Sequence, residues 1–119
     1  MQALGLIEVV GLAGAIEAAD AAVKNAESVV SQIEYADKGY VTVKLLGGVA
    51  DVQAAVEAGA AAASRITQLI AAHVIPRPHE EVDKLVHYKP EMTSAGMDVL
   101  MKNPPQAAPK KVAPKPPKK

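Results

Sequence analysis

Catalysis or metal binding in this chain would have to be built from three histidines, at 73, 79 and 87, and from serines at 28, 31, 64 and 94. A nucleophile needs a base within hydrogen-bond reach and a third group to orient that base. These residues do not supply such a trio. His73 sits in "TQLIAAHVI", where alternation with apolar neighbours marks a satisfied core or interface histidine rather than a ligand. His79 and His87 lie eight residues apart, on a short charged helix and its exit, with no second His or Cys at metal-ligand spacing. Cysteine is absent, which removes thiolate ligands and disulfides. The chain therefore reads as non-enzymatic, with no catalytic residue, no metal and no cofactor.

Phosphate-binding loops fail on spacing. Gly5, Gly11 and Gly14 fall between a strand and a helix, but "GLIEVVGLAG" puts five residues between its first two glycines where a dinucleotide fingerprint needs one. Gly47 and Gly48 precede the second helix without a following Gly-Lys-Ser/Thr, so both segments read as strand-to-helix turns. Tyr35 and Tyr40, the aromatics nearest the strands, lack flanking bases, which argues against nucleic-acid binding through a sheet.

Charge is divided along the chain. The 13 acidic residues all fall between Met1 and Lys102 with eight bases, whereas Asn103–Lys119 carries five lysines and no acid, giving a body of −5 and a tail of +5. That tail, "NPPQAAPKKVAPKPPKK", reads as an extended, mobile spacer. The N-terminal "MQALGLIEVV" has no basic stretch ahead of its apolar run and is too short to span a bilayer. Neither a signal peptide nor a membrane helix is expected, and a cytoplasmic location is.

What remains is a cation in an unusual frame. In "IPRPH", residues 75–79, two prolines hold Arg77 between them at the end of an apolar strand. Proline fixes its own φ and restricts the residue before it, so this guanidinium is presented from a stiff backbone.

The elements that position it follow from periodicity. Residues 2–10 read as a buried strand broken by Gly11. "LAGAIEAADAAVK" then sets Leu12, Ile16, Ala19 and Val23 along one helical stripe, with Glu17, Asp20 and Lys24 on the other side and Asn25 as a left-handed stop. Strands follow at 28–35 and 40–46, the second alternating Val41, Val43 and Leu45 against Thr42 and Lys44, joined by the hairpin loop "ADKG" with Gly39 at positive φ. An Ala-rich helix over 49–66 turns Val49, Val52, Val56, Gly59 and Ala63 inward, a fourth strand covers 67–75, and Glu80 and Glu81 open a short third helix. This order is an α+β, ferredoxin-like split βαβ plan: a four-stranded, mainly antiparallel sheet with two main helices on one face and a short C-terminal helix. A weak amphipathic turn through Met97, Leu100 and Met101 is expected beyond it, and the division falls at 1–87 for the domain and 88–119 for a flexible Pro/Lys-rich tail.

The half of the residues that is hydrophobic is mostly Ala, Val, Leu and Ile, with no Phe or Trp. A domain this small buries only about 60% of the surface of its unfolded chain. Its thin core and the apolar residues on both faces of the first and fourth strands predict that neighbouring subunits cover part of the sheet.

The same segments carry a likeness. "QALGLIEVVGLAGAIEAADAAVKNA", "GYVTVKLLGGVADVQAAVEAGAAAA" and "HVIPRPHEEVDKL" resemble the hexamer-forming shell proteins of bacterial microcompartments, the BMC domain family, from Gln2 to Val86 without a gap. The resemblance implies a cyclic homohexamer that tiles edge to edge with its own kind and other shell proteins around encapsulated enzymes. It implies Lys24 and Asn25, with Arg77 and His79, at the edge between hexamers. It also implies that Asp37, Lys38 and Gly39 stand at the central pore, where the family commonly has Gly-Ser-Gly; Lys38 turned inward would narrow that opening and draw anions. The function implied is a structural shell tile passing small polar metabolites, with no nucleic-acid or membrane partner. The alternative is an oligomeric ferredoxin-like regulatory protein that binds a small ligand between subunits.

Overall fold

The computed structural model describes residues 2–87, which lie in one compact unit. The expectations placed on 88–119, including the turn through Met97, Leu100 and Met101, lie outside the described residues.

The chain runs β1 (Ala3–Val10), α1 (Leu12–Asn25), β2 (Ser28–Tyr35), β3 (Tyr40–Gly47), α2 (Val49–Ser64), β4 (Leu69–Ile75), a 3-10 turn (Glu80–Val82) and α3 (Asp83–Val86). The sheet order is β2-β3-β1-β4, and every neighbouring pair is antiparallel. The expected α+β plan is the one observed. Two boundaries move by two residues: α2 ends at Ser64 rather than 66, and β4 begins at Leu69 rather than 67. Thr67 is drawn out of the strand because its hydroxyl donates to the Val10 carbonyl at 2.7 Å.

Odd-numbered residues of the central strands point at the helices, so Ile7, Val9, Val41, Val43 and Leu45 meet Ala15, Ala18 and Ala22 of α1 and Val52, Ala55, Val56 and Ala63 of α2 in one buried cluster. The stripe of α1 that faces this core is the alanine one. Leu12 and Ile16 are 46% and 52% exposed and Val23 is also exposed, which corrects the expectation that the larger apolar residues define the packed side. Close approach of the two helices is the reason. A Cβ on Gly59 would lie 2.7 Å from the Ala18 carbonyl oxygen and 2.7 Å from Ile7 Cδ1, so α1 and α2 meet backbone to backbone and leave no room for a larger side chain. Val49, expected inward, is likewise exposed at the start of α2.

The face without the two main helices is covered differently. Leu6 lies opposite Lys44 on β3 and His73 on β4, so these three share that face. There Lys44 is buried, its Nζ 2.5 Å from Glu34 Oε2 and donating to the Leu85 carbonyl at 3.3 Å, while Thr42 donates to Glu8 at 3.1 Å. Leu4, Leu6, Ile75, Val82, Leu85 and Val86 border a shallow recess beside Lys44. Part of the second apolar face of β1 is thus lidded by the chain's own α3 rather than by a neighbour. His73, expected to be a satisfied histidine, is exposed within the single chain because β4 is an edge strand paired only with β1.

Candidate functional site

Antiparallel pairing sorts the residues singled out by sequence into two groups. Ala3 pairs with Gly47, Gly47 with Ser28, and Leu4 with Ile75, so the end of α1, the start of β2 and the end of β4 all meet at one end of the sheet. Lys24, Asn25, Arg77 and His79 belong to that end. Val10 pairs with Tyr40, and the hairpin tip Asp37–Gly39 stands just beyond them at the opposite end. The eight residues of β1 between them span about 26 Å at about 3.3 Å per residue.

At the first end, Lys24 lies in the last turn of α1 and pairs with Asp20 at 2.7 Å. The side-chain hydrogen bond to Asp20 and its negative charge hold the Lys24 ammonium above the usual lysine pKa. Asn25 remains in the helix and is not left-handed: its amide donates to the Ala21 carbonyl at 2.7 Å, and the extended Ala26 turns the chain out. The side chain can satisfy an orphan carbonyl of the last turn directly, so no positive-φ cap is needed.

Arg77 follows β4 by two residues and is exposed, whereas Pro78 beside it is buried and anchors the turn. All peptide bonds among the described residues are trans. Arg77, Pro78, His79 and Glu80 line an open recess of about 330 Å³. His79 has a structural task as well, since its Nδ1 accepts from the Glu81 N–H at 3.2 Å and caps the 3-10 turn. Among the described residues Arg77 has no carboxylate partner, so its donors face outward.

At the second end the tip is a tight left-handed turn. Lys38 (φ 65°, ψ 19°) and Gly39 (φ 77°) both have positive φ, and the Tyr40 N–H donates back to the Asp37 carbonyl. That is the pattern of a type I′ hairpin turn, whose twist matches the flanking strands. The Ala36 N–H donates to Tyr40 at 2.8 Å, and the Gly11 N–H donates to the Gly39 carbonyl at 2.9 Å, tying the tip to the β1–α1 corner.

Sequence reading missed the burial of Lys44 and its pairing with Glu34. Lys44 looks like one of the solvent-side residues in the alternation of β3; the signal that buries it is distant, in "VDKLV". No group of three or more His, Asp or Glu close enough to hold a metal is found among the described residues, and no helix there is long and apolar enough to cross a membrane.

This antiparallel α+β unit carries an outward arginine, Arg77, at one end and the charged Asp37–Lys38 turn at the other. The BMC domain family matches residues 3–78, and the chain belongs to that family. It is 49% identical over 85 residues to the bacterial microcompartment shell protein PduA of Citrobacter freundii, covering 71% of this chain and 91% of the relative. It is 46% identical over 85 residues to the shell protein EutM of Escherichia coli K12 (71% and 88% covered) and 51% identical over 85 residues to the carboxysome shell protein CsoS1A of Hydrogenovibrio crunogenus (71% and 88% covered). The crystal structure of a microcompartment protein from Desulfitobacterium hafniense superposes with a TM-score of 0.65 at 32% identity, covering 73% of this chain and 47% of that one, so the chain spans about half of its length.

Proposed function

We propose that the chain is a structural tile of a bacterial microcompartment shell in the cytoplasm. Six copies close into a ring around the Asp37–Gly39 tips, residues 1–87 forming the tile. The rings pack edge to edge through Lys24, Asn25, Arg77 and His79, alongside other shell proteins and around encapsulated enzymes. The central opening passes small polar metabolites. The observation that carries this reading is the separation of the two residue groups to opposite ends of one sheet. A tile needs that geometry: one end turned to an axis, the other to a neighbour.

Two further observations support it. Leu12, Ile16, Val29 and Ile66 are left exposed by the single chain, a large apolar surface for so small a body. Among the described residues the Arg77 guanidinium has no carboxylate partner, and its planar fork of donors suits the carbonyl groups of an adjoining copy. Light scattering of the purified chain should give the mass of a hexamer. Arg77→Ala should leave that mass unchanged and abolish extended sheets in electron micrographs. A stable monomer at micromolar concentration would overturn the reading, and sheets persisting in Arg77→Ala would overturn the edge role.

A further inference from the structure

The 3-10 turn after β4 is capped by a titratable side chain. His79, at φ −65° and ψ 147°, occupies the N-cap of Glu80–Val82, and its Nδ1 accepts from the Glu81 N–H at 3.2 Å. Asn, Asp, Ser and Thr ordinarily hold this position, because their side-chain oxygens accept a hydrogen bond throughout the neutral pH range. An imidazole caps only while that nitrogen carries no proton. Once protonated, both ring nitrogens are donors, and the Glu81 N–H then faces a second N–H.

The cap stands beside the edge cation. Arg77, Pro78, His79 and Glu80 line the same recess, and only the buried Pro78 separates Arg77 from His79 along the chain. The neighbouring charges do not offset a new cation there. Glu81 is engaged with Lys84 at 3.3 Å, Asp20 with Lys24 at 2.7 Å, and Asp83 lies 3.4 Å from His87, while neither Arg77 nor His79 has an ion-pair partner among the described residues. Glu80 is the one carboxylate lining the recess, a single negative charge against Arg77 and a protonated His79 together.

We propose that His79 is a positioning residue for Arg77 and that its protonation loosens the packing of rings into sheets, which makes assembly pH-sensitive. The inference rests on the edge role given to Arg77 above. In the neutral form the cap fixes the first turn after Pro78, and with it the wall of the recess against which Arg77 is held. In the protonated form the Glu81 N–H loses its acceptor, the turn frays, and an imidazolium stands two residues from the guanidinium. Lys24 belongs to the same end of the tile, so an edge packed against its own kind gathers like charges at close range. Histidine ordinarily gains its proton between about pH 8 and about pH 5, so sheets should form above that window and come apart within it.

The test uses the full chain, sized first by light scattering, with sheet formation followed by turbidity and electron microscopy. For wild type, the concentration at which sheets appear should rise about tenfold between about pH 7.5 and about pH 5.5 and fall again on readjustment, the mass of the separate ring being unchanged. His79→Asn and His79→Ser, which keep an N-cap oxygen but do not titrate, should form sheets at both pH values at the concentration wild type needs at the higher one. His79→Ala, which has neither property, should need a raised concentration at both. Wild-type sheets equally stable at the two pH values, Asn and Ser variants as pH-sensitive as wild type or without sheets at the higher pH, or an Ala variant that matches wild type there would overturn the role of His79. Arg77→Ala keeps the two readings apart: with sheets lost in that variant, any of these results leaves the edge role standing. Sheets that persist in Arg77→Ala, or a wild-type chain that forms none at either pH, would overturn both.

Discussion

On its helix-covered face the sheet meets alanine, valine and bare backbone, with Gly59 set against the Ala18 carbonyl. On its other face Lys44 pairs with Glu34 and donates to the Leu85 carbonyl of α3, while Thr42 donates to Glu8. The first arrangement derives its stability from close fit, the second from partners that must be present together. The difference teaches where this small, aromatic-free body concentrates its stability: in two helices brought unusually close, which compensates for the small volume of each core side chain.

Breaking the fit should cost most. Gly59→Val would force its branched carbons into Ala18 and Ile7, and urea denaturation should show a loss of about 3 kcal/mol. A loss below about 1 kcal/mol would mean that the helices part freely and that the contrast between the faces is false. Lys44→Ala should cost about 2 kcal/mol, because it strands the Glu34 carboxylate and the Leu85 carbonyl; the value is discounted because Glu34 is half-exposed. Lys44→Met, keeping the aliphatic stem and restoring no charge, should cost less in the same denaturation, and a Met variant as stable as wild type would show that the ion pair adds nothing. The smallest effect belongs to the exposed Lys24–Asp20 pair. A pKa raised in the folded state contributes stability in full below the ordinary lysine value and loses it only as pH rises through the raised one. Asp20→Asn should lower the Lys24 pKa in an NMR titration and destabilise the fold only slightly at neutral pH, because the pair is exposed, with even that small deficit disappearing as pH rises through the raised value.

Much of this was legible in the sequence. Alternation in "YVTVKLL" placed β3 within a residue of its end, and Gly39 marked the turn because few other residues tolerate its φ. The inward side of α1 was not legible: hydrophobicity favours Leu12 and Ile16, and only the distant Gly59 reveals that two helices need alanine between them. His73 alternates like a half-buried residue, but alternation cannot tell an edge strand from a central one. Arg77 stood out through its two prolines alone, whereas the tasks assigned to it and to Lys24, Asn25 and His79 came from likeness to a family. That both groups of residues lie at opposite ends required the register of β1 with β3 and β4, which no local pattern encodes.

The bond from the Gly11 N–H to the Gly39 carbonyl limits what the hairpin can do. A loop fastened at both strands and again from its flank does not swing like a shutter. What the tip presents is set by its side chains, and changing it calls for a new residue at position 38 rather than a new motion.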